Sequence, residues 1–166
     1  MHKQIIVMQL RPHQNEALAK MRLRSKGQVI VPTGGGKTMC MIEDAMNEFS
    51  RSYGQTIVVV APRILLANQL SSEFLEFIDN AEVLHVHSGE THHYSTTKAS
   101  EISVWSAKNS VSNQIIFTTY HSLHRVQESD IHVDTIYFDE AHNSVQKNFI
   151  EAVEYCSIYA QRKYFF

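Results

Sequence analysis

The stretch Val29-Ile30-Val31-Pro32-Thr33-Gly34-Gly35-Gly36-Lys37-Thr38 decides how this chain is read. A short β-branched run stops in three consecutive glycines and ends in Lys-Thr. Glycine has no Cβ, so successive backbone N–H groups can turn inward on an anion that side chains would otherwise hold off. The helix that starts here points its positive N-terminus at the same place. Thr33, Gly34, Gly35 and Gly36 therefore read as a nest for nucleotide phosphates, with Lys37 reaching the β- and γ-phosphates and the Thr38 hydroxyl on Mg²⁺. One position departs from the pattern G-x-x-x-x-G-K-[ST], because Val31 stands where the first glycine belongs. A glycine turn between a strand and a helix, with no ligand, is the alternative.

Working outward, Met39, Ile42, Met46 and Phe49 recur at helical steps and give the following helix one apolar face. On the other side, residues 28 to 31 read as the first buried strand, separated by Gly27 from an upstream helix. Pro12 suits the first turn of that helix, where Ala17, Leu18 and Met21 face inward and His13, Glu16, Lys20 and Arg24 face water. Gln14 offers amide donors and a carbonyl acceptor that match an adenine edge, as any surface glutamine does. Residues 5 to 8 are either a short edge strand or an apolar lead-in.

Strand, turn and helix then repeat. The run Thr56 to Ala61 is almost wholly apolar, as in a parallel strand covered on both faces. It ends at Pro62-Arg63, and a helix follows through Ile64, Leu65, Leu70, Phe74 and Phe77. The pattern predicts an α/β domain built on βαβ units, with a mostly parallel central sheet and helices on both faces. Residues 82 to 87 alternate weakly, and 88 to 113 read as a polar loop around one short helix, 99 to 108, carrying Ile102 and Trp105. His85, His87, His92 and His93 have no cysteine nearby and no H-E-x-x-H spacing, so they read as solvated loop residues rather than metal ligands.

Residues 114 to 123 begin as a strand and end in hydroxyls, which suits either phosphate contacts or a strand-to-helix cap. The strand near 133 to 138 delivers Asp139 and Glu140 to its C-terminal end, the edge of a parallel sheet where ligands bind. Beside a phosphate loop, the first acid would hold Mg²⁺ and the second would activate the attacking water. A helix is expected over 145 to 159 with Phe149, Val153 and Cys156 inward, and then a strand at 164 to 166.

Composition excludes several classes. The 166 residues are one domain's worth, with 43% hydrophobic and 19% charged residues. A net charge of −2 supplies no global basic field, so a nucleic acid would be held by local loops. Two cysteines, Cys40 and Cys156, build no disulfide framework, and no run has the length of a membrane span or the h-region of a signal peptide. A cytoplasmic protein without a membrane partner is the expectation.

With these residues in hand, the chain resembles the N-terminal motor domain of superfamily 2 helicases and translocases, the DEAD/DEAH-box class in the broad sense. Leu10 to Gln14 look like the adenine-reading glutamine motif, Pro32 to Thr38 like motif I, Ala61 to Arg63 like motif Ia, Thr118 to Ser122 like motif Ic, and Asp139 to His142 like motif II. The resemblance implies a RecA-like P-loop NTPase domain that binds ATP and Mg²⁺. Arg11 and Gln14 would hold the adenine; Lys37, Asp139 and Glu140 would be catalytic, with Thr38 and Asp139 on the metal. His142 would couple the γ-phosphate to the nucleic-acid face, and Pro62, Arg63, Thr118 and Thr119 would touch a strand's backbone. The Leu-Arg-Pro-His-Gln and Pro-Thr-Gly-Gly-Gly-Lys-Thr forms look nearest to restriction-enzyme motor subunits and DNA-repair helicases, which favours DNA over RNA.

The Ser/Thr-Ala-Thr motif III and the second RecA-like domain, with its arginine finger, do not occur in these residues. The expectation is a piece of a longer motor protein, weak or inactive alone. Three functions compete: an ATP-dependent helicase, a double-strand DNA translocase of the restriction type, and a non-motor module switched by nucleotide. Glu140 speaks against the last, since a switch has little need of a water-activating acid.

Overall fold

Buried β-branched runs become the centre of a sheet. The computed structural model describes residues 12–30, 36–142 and 148–166. In chain order the elements are α1 (Pro12–Leu23), β1 (Lys26–Gln28), α2 (Lys37–Arg51), β2 (Thr56–Ala61), α3 (Ile64–Phe77), β3 (Ala81–Val86), α4 (Ala99–Lys108), β4 (Asn113–Thr119), α5 (Leu123–Ser129), β5 (Thr135–Phe138), α6 (Ile150–Tyr159) and β6 (Arg162–Phe165). The strands form one sheet in the order β1-β6-β5-β2-β4-β3, and every described pairing is parallel. β2 is buried along its whole length between β5 and β4, in register Val59 opposite both Tyr137 and Phe117.

Alternation along the strands sorts side chains onto two faces. Ile57, Val59, Ile115, Phe117 and Tyr137 pack with Leu18, Met41, Ile42, Phe49 and Phe74 from α1, α2 and α3. Val58, Val60, Ile116, Ile136 and Phe138 pack with Ile102, Trp105, Leu123, Val126 and Val153 from α4, α5 and α6. This is the expected α/β architecture with helices on both faces. Met39 and Met46 lie at the margin of the first core and Cys40 is fully buried, its thiol pushed up to about 11 by burial. Among the described residues no helix is long and apolar enough to cross a membrane.

Three expectations need correction. The first strand begins at Lys26 rather than 28 and is not buried, because among the described residues it pairs only with β6 and forms the sheet's edge. Val29 continues it by one bond, donating to the Phe165 carbonyl at 2.7 Å. Leu65 does not face the core but is 78% exposed, since α3 turns Ala67, Leu70 and Phe74 inward instead. Of the two readings of the hydroxyl cluster after β4, the structure shows the strand-to-helix cap: the cluster leads into a short helix, α5, and Ser122 N donates to Thr119 Oγ1 at 3.3 Å. Arg11, Thr33, Gly34, Gly35, residues 5 to 8 and the start of the helix expected from 145 lie outside the described residues.

The third correction concerns the histidines. His85 and His87 are buried, not solvated, because β3 extends to Val86 and lays His85 under α3 beside Phe117, ring centroids 5.4 Å apart. Gly89 N donates to His87 Nδ1 at 3.2 Å, His87 Nε2 lies 3.0 Å from His85 Nδ1, and His85 Nε2 lies 2.9 Å from Ser71 Oγ. The Gly89 amide makes His87 Nδ1 the acceptor, so neutral His87 donates from Nε2 to His85, and His85 donates from Nε2 to Ser71. His93 stacks on His85 at 5.1 Å. Burial above all, with His87 and His93 alongside, lowers the His85 pKa from 6.5 to about 3, and burial lowers that of His87.

An unfolded chain protonates His85 near pH 6.5 and the folded chain only well below it. The contribution of neutral His85 is therefore whole above pH 6.5 and is lost as pH falls toward 3, at roughly 1.4 kcal/mol per pH unit. Urea unfolding of the wild type and of His85→Asn across pH 4 to 8 should give curves that run parallel above about 6.5 and converge below it. Curves parallel over the whole range would show that His85 takes up its proton as freely in the folded chain.

Candidate nucleotide site

Parallel strands deliver their following loops to one edge of the sheet, so residues far apart in sequence meet there. β1 leads to Gly36 and the start of α2, β5 ends at Asp139 and Glu140, and β2 ends at Pro62-Arg63. Lys37, the first residue of α2, crosses to β5: its ammonium lies 3.1 Å from Asp139 Oδ1 and donates to Glu140 Oε1. Asp139 is held at both ends of its peptide, its N–H donating to Val60 O at 2.8 Å and its carbonyl accepting from Tyr120 Oη at 2.9 Å. Tyr120 had no signal in the sequence, since a buried aromatic after a strand reads as core.

Glu140 has φ 51, a left-handed conformation that costs a side-chain-bearing residue free energy and concentrates at functional turns. It lets the chain leave β5 while the carboxylate turns back to Lys37. Ala141 N donates to Phe166 O at 2.8 Å, tying this turn to the end of β6.

Electrostatics follow from the two depths. Burial pushes the Asp139 pKa up, while the Lys37 ammonium pulls against it. Glu140, more exposed, is held below the ordinary carboxylate value by its hydrogen bond to Lys37. For Lys37, burial works to lower the pKa, but the bonds to Glu140 and Asp139 outweigh it and the ammonium is held above its usual value. Asp139 Oδ1 is buried and, with Lys37 at 3.1 Å, has no hydrogen-bond donor aligned on it. A buried carboxylate oxygen lacking a donor, with the Thr38 hydroxyl in the first turn of α2, is a hard-oxygen pair of the kind that suits Mg²⁺.

Gly36 stands just before α2 with φ 73, and its carbonyl accepts from Met39 N and Cys40 N. Gln14 is not a surface glutamine: it is buried on α1, and its Nε2 donates to Gly36 O at 3.1 Å. The glutamine and the end of the phosphate loop are thus in direct contact. His142 is exposed, its Nδ1 3.6 Å from Glu140 Oε2.

The nucleic-acid candidates divide. Arg63 is exposed at the N-terminus of α3 and Pro62 is half-buried. Thr118 and Thr119 are buried; Thr118 Oγ1 donates to Val86 O at 2.8 Å, and Thr119 Oγ1 caps Ser122. As placed, these hydroxyls serve the fold. Among the described residues no three His, Cys, Asp or Glu side chains converge as a metal centre.

Gly36, Lys37 and a strand-end Asp-Glu pair meet at one edge of a parallel sheet, the fold of a RecA-like domain. A model of the family described as type III restriction enzyme, res subunit, matches residues 7–164, and the chain belongs to that family. Comparison with curated proteins gives no significant match. Among solved structures, the chain is similar to a nuclease-deletion mutant of the type ISP restriction-modification enzyme LlaGI in complex with a DNA substrate mimic (TM-score 0.77, 20% identity, 95% of this chain and 17% of that one). It is also similar to the UvsW helicase of bacteriophage T4 (0.66, 16%, 95% and 52%) and to the Hef helicase domain of Pyrococcus furiosus (0.69, 20%, 93% and 31%). At these identities the likeness is one of fold. The chain spans between 17% and 52% of their length.

A Cβ at Gly36 would lie 2.1 Å from Gln14 Nε2 as well as in a left-handed backbone. Gly36→Ala should therefore destabilise by at least about 1–2 kcal/mol. In Gln14→Ala the same change should cost less, and thermal unfolding of the four combinations measures that coupling. Strict additivity would show that the two residues do not touch.

Proposed function

We propose that this chain is the ATP-binding half of a DNA helicase, coupling ATP hydrolysis to strand separation. The observation that carries the reading is Lys37 bridging Asp139 and Glu140, which brings the phosphate-binding helix and the strand-end acids into one site. Lys37 would bind the β- and γ-phosphates, and Gly36 with the loop before it would supply backbone N–H groups. Gln14, set against Gly36, would read the adenine, with Arg11 beside it. Thr38 and Asp139 would hold Mg²⁺, which when bound offsets phosphate charge.

Glu140 would orient the attacking water and take its proton. A carboxylate at the rim is ionised at neutral pH, as a base must be. The approach of a nucleotide's phosphates would draw Lys37 from Glu140, releasing that carboxylate for water. His142, its Nδ1 3.6 Å from Glu140 Oε2, would report this change toward the nucleic-acid face. Arg63 is an exposed cation beside the end of β2 and the candidate for a strand's phosphates, with Pro62 before it and Thr118 and Thr119 at the end of the neighbouring β4. DNA is favoured because the LlaGI structure holds a DNA substrate mimic. Backbone contacts of this type give binding that is tolerant of sequence and sensitive to salt.

The chain spans a minority to half of its structural relatives, which supports completion by a second RecA-like domain that brings an arginine finger. Membership of the restriction family favours a second reading, translocation along duplex DNA without strand separation. Strand-displacement and triplex-displacement assays on the full-length protein separate the two: displacement of a paired strand supports the helicase, and triplex displacement alone supports the translocase.

Glu140→Gln in the full-length protein should keep ATP binding while DNA-stimulated turnover falls about 10²–10⁴-fold. Steady-state hydrolysis beside a nucleotide titration checks this. Turnover unchanged by the substitution would remove Glu140 from the reaction.

A further inference from the structure

A second buried polar cluster lies below the nucleotide groups. Arg162, on β6, clamps Asp44 of α2 with both nitrogens: Nη2 donates to Oδ1 at 2.8 Å and Nη1 to Oδ2 at 3.0 Å. Nη1 is also 3.1 Å from Glu48 Oε1, which Arg51 approaches to 3.2 Å from the other side. Tyr137 of β5 donates its hydroxyl to Asp44 Oδ2 at 2.5 Å. Tyr164 accepts from Arg162 Nη2 at 2.8 Å and lies 2.8 Å from the Met21 carbonyl of α1, to which it donates. The charges balance, two carboxylates against two guanidiniums.

The elements that carry the described nucleotide-site residues converge on this cluster, α2 through Asp44, β5 through Tyr137 and α1 through Tyr164. α1 bears Gln14, α2 bears Lys37 and Thr38, and β5 delivers Asp139 and Glu140. Asp44 follows Lys37 by seven residues, two helical turns or about 10 Å along the same face. Tyr137 precedes Asp139 by two residues, so both point to the face on which α2 lies. The clamp therefore joins α2 to β6, and the Tyr137 hydroxyl on Asp44, with Arg162 Nη1 3.3 Å from Thr135 Oγ1, carries it on to β5, two turns below the place where Lys37 meets Asp139.

Stability gives a poor reason for this arrangement. Taking charges out of water costs about what their attraction returns, and apolar replacements of whole buried ion pairs are often neutral or stabilising. What a bidentate guanidinium–carboxylate pair does supply is fixed geometry.

We propose that Arg162 is a positioning residue for ATP hydrolysis: its clamp on Asp44 sets the height of α2 against β5 and holds Lys37 and Thr38 in register with Asp139 and Glu140. This rests on the ATPase reading above. The phosphate-binding groups all lie on the α1–α2 side and the water-activating acid on β5. Loosening the clamp therefore disturbs the alignment of the two halves more than the grip on nucleotide.

The test is the triple replacement Asp44→Leu, Tyr137→Phe, Arg162→Met in the full-length protein. It removes charge in a pair and leaves Glu48 with Arg51 and Tyr164 with Met21. Expected are a thermal midpoint within a few degrees of wild type, ATP affinity within about threefold, and DNA-stimulated kcat lower by about tenfold or more. Arg162→Lys keeps the charge but not the fork, and should fall between the two with an unchanged midpoint. Wild-type kcat in the folded triple variant, or a loss of kcat matched by an equal loss of ATP affinity, overturns the proposal. Where the triple variant fails to fold, Arg162→Lys decides: lowered kcat at full stability supports positioning, and wild-type kcat overturns it. Wild-type protein that hydrolyses no ATP at all overturns the ATPase reading itself, a failure distinct from loss of the clamp.

Discussion

The bridge from Lys37 to Asp139 and Glu140 is the constraint on which the rest of this structure depends. It joins residues more than a hundred positions apart in sequence, and it exists only because β1 and β5 run parallel with β6 between them and release their loops at one edge. An antiparallel β5 would have sent the two acids to the opposite end. The buried run of β2 anchors this geometry from the other side, since Asp139 N donates to Val60 O as the strand pair ends. Sheet order, strand direction and site chemistry are one fact seen at three scales.

Depth divides the labour between the two acids. Asp139 sits behind the sheet edge, its backbone fixed by Val60 and Tyr120, and one of its oxygens has no aligned donor. Glu140 turns outward through a left-handed backbone and stays ionised against Lys37. A fixed, buried carboxylate suits a metal ion, and an ionised one at the rim suits water. The same residue pair on a regular strand continuation would have pointed to opposite faces.

Much of this was legible in the sequence because the signals are local. Three glycines before Lys-Thr, an apolar strand ending in Asp-Glu, and helical spacing in α2 each declare themselves within a dozen residues. What escaped was set by neighbours distant in sequence. β1 is an exposed edge because nothing among the described residues pairs on its far side, which no periodicity records. His85 and His87 look like loop polars until α3 supplies Ser71 and an apolar roof. Arg162 and Asp44, 118 positions apart, read as surface charges on a helix and at a chain end. Gln14 was noticed for its chemistry, yet its burial against Gly36 follows only from how α1 packs on α2.

The central claim is that Lys37 and its two acids form an ATP site, and calorimetric titration of ATP with Mg²⁺ into the full-length protein and its Lys37→Ala variant tests it most directly. The charged bond from Lys37 to phosphate should be worth on the order of ten- to a hundredfold in affinity, so the variant should bind correspondingly more weakly. Equal affinity in the two proteins, or no ATP binding by either, would contradict the account.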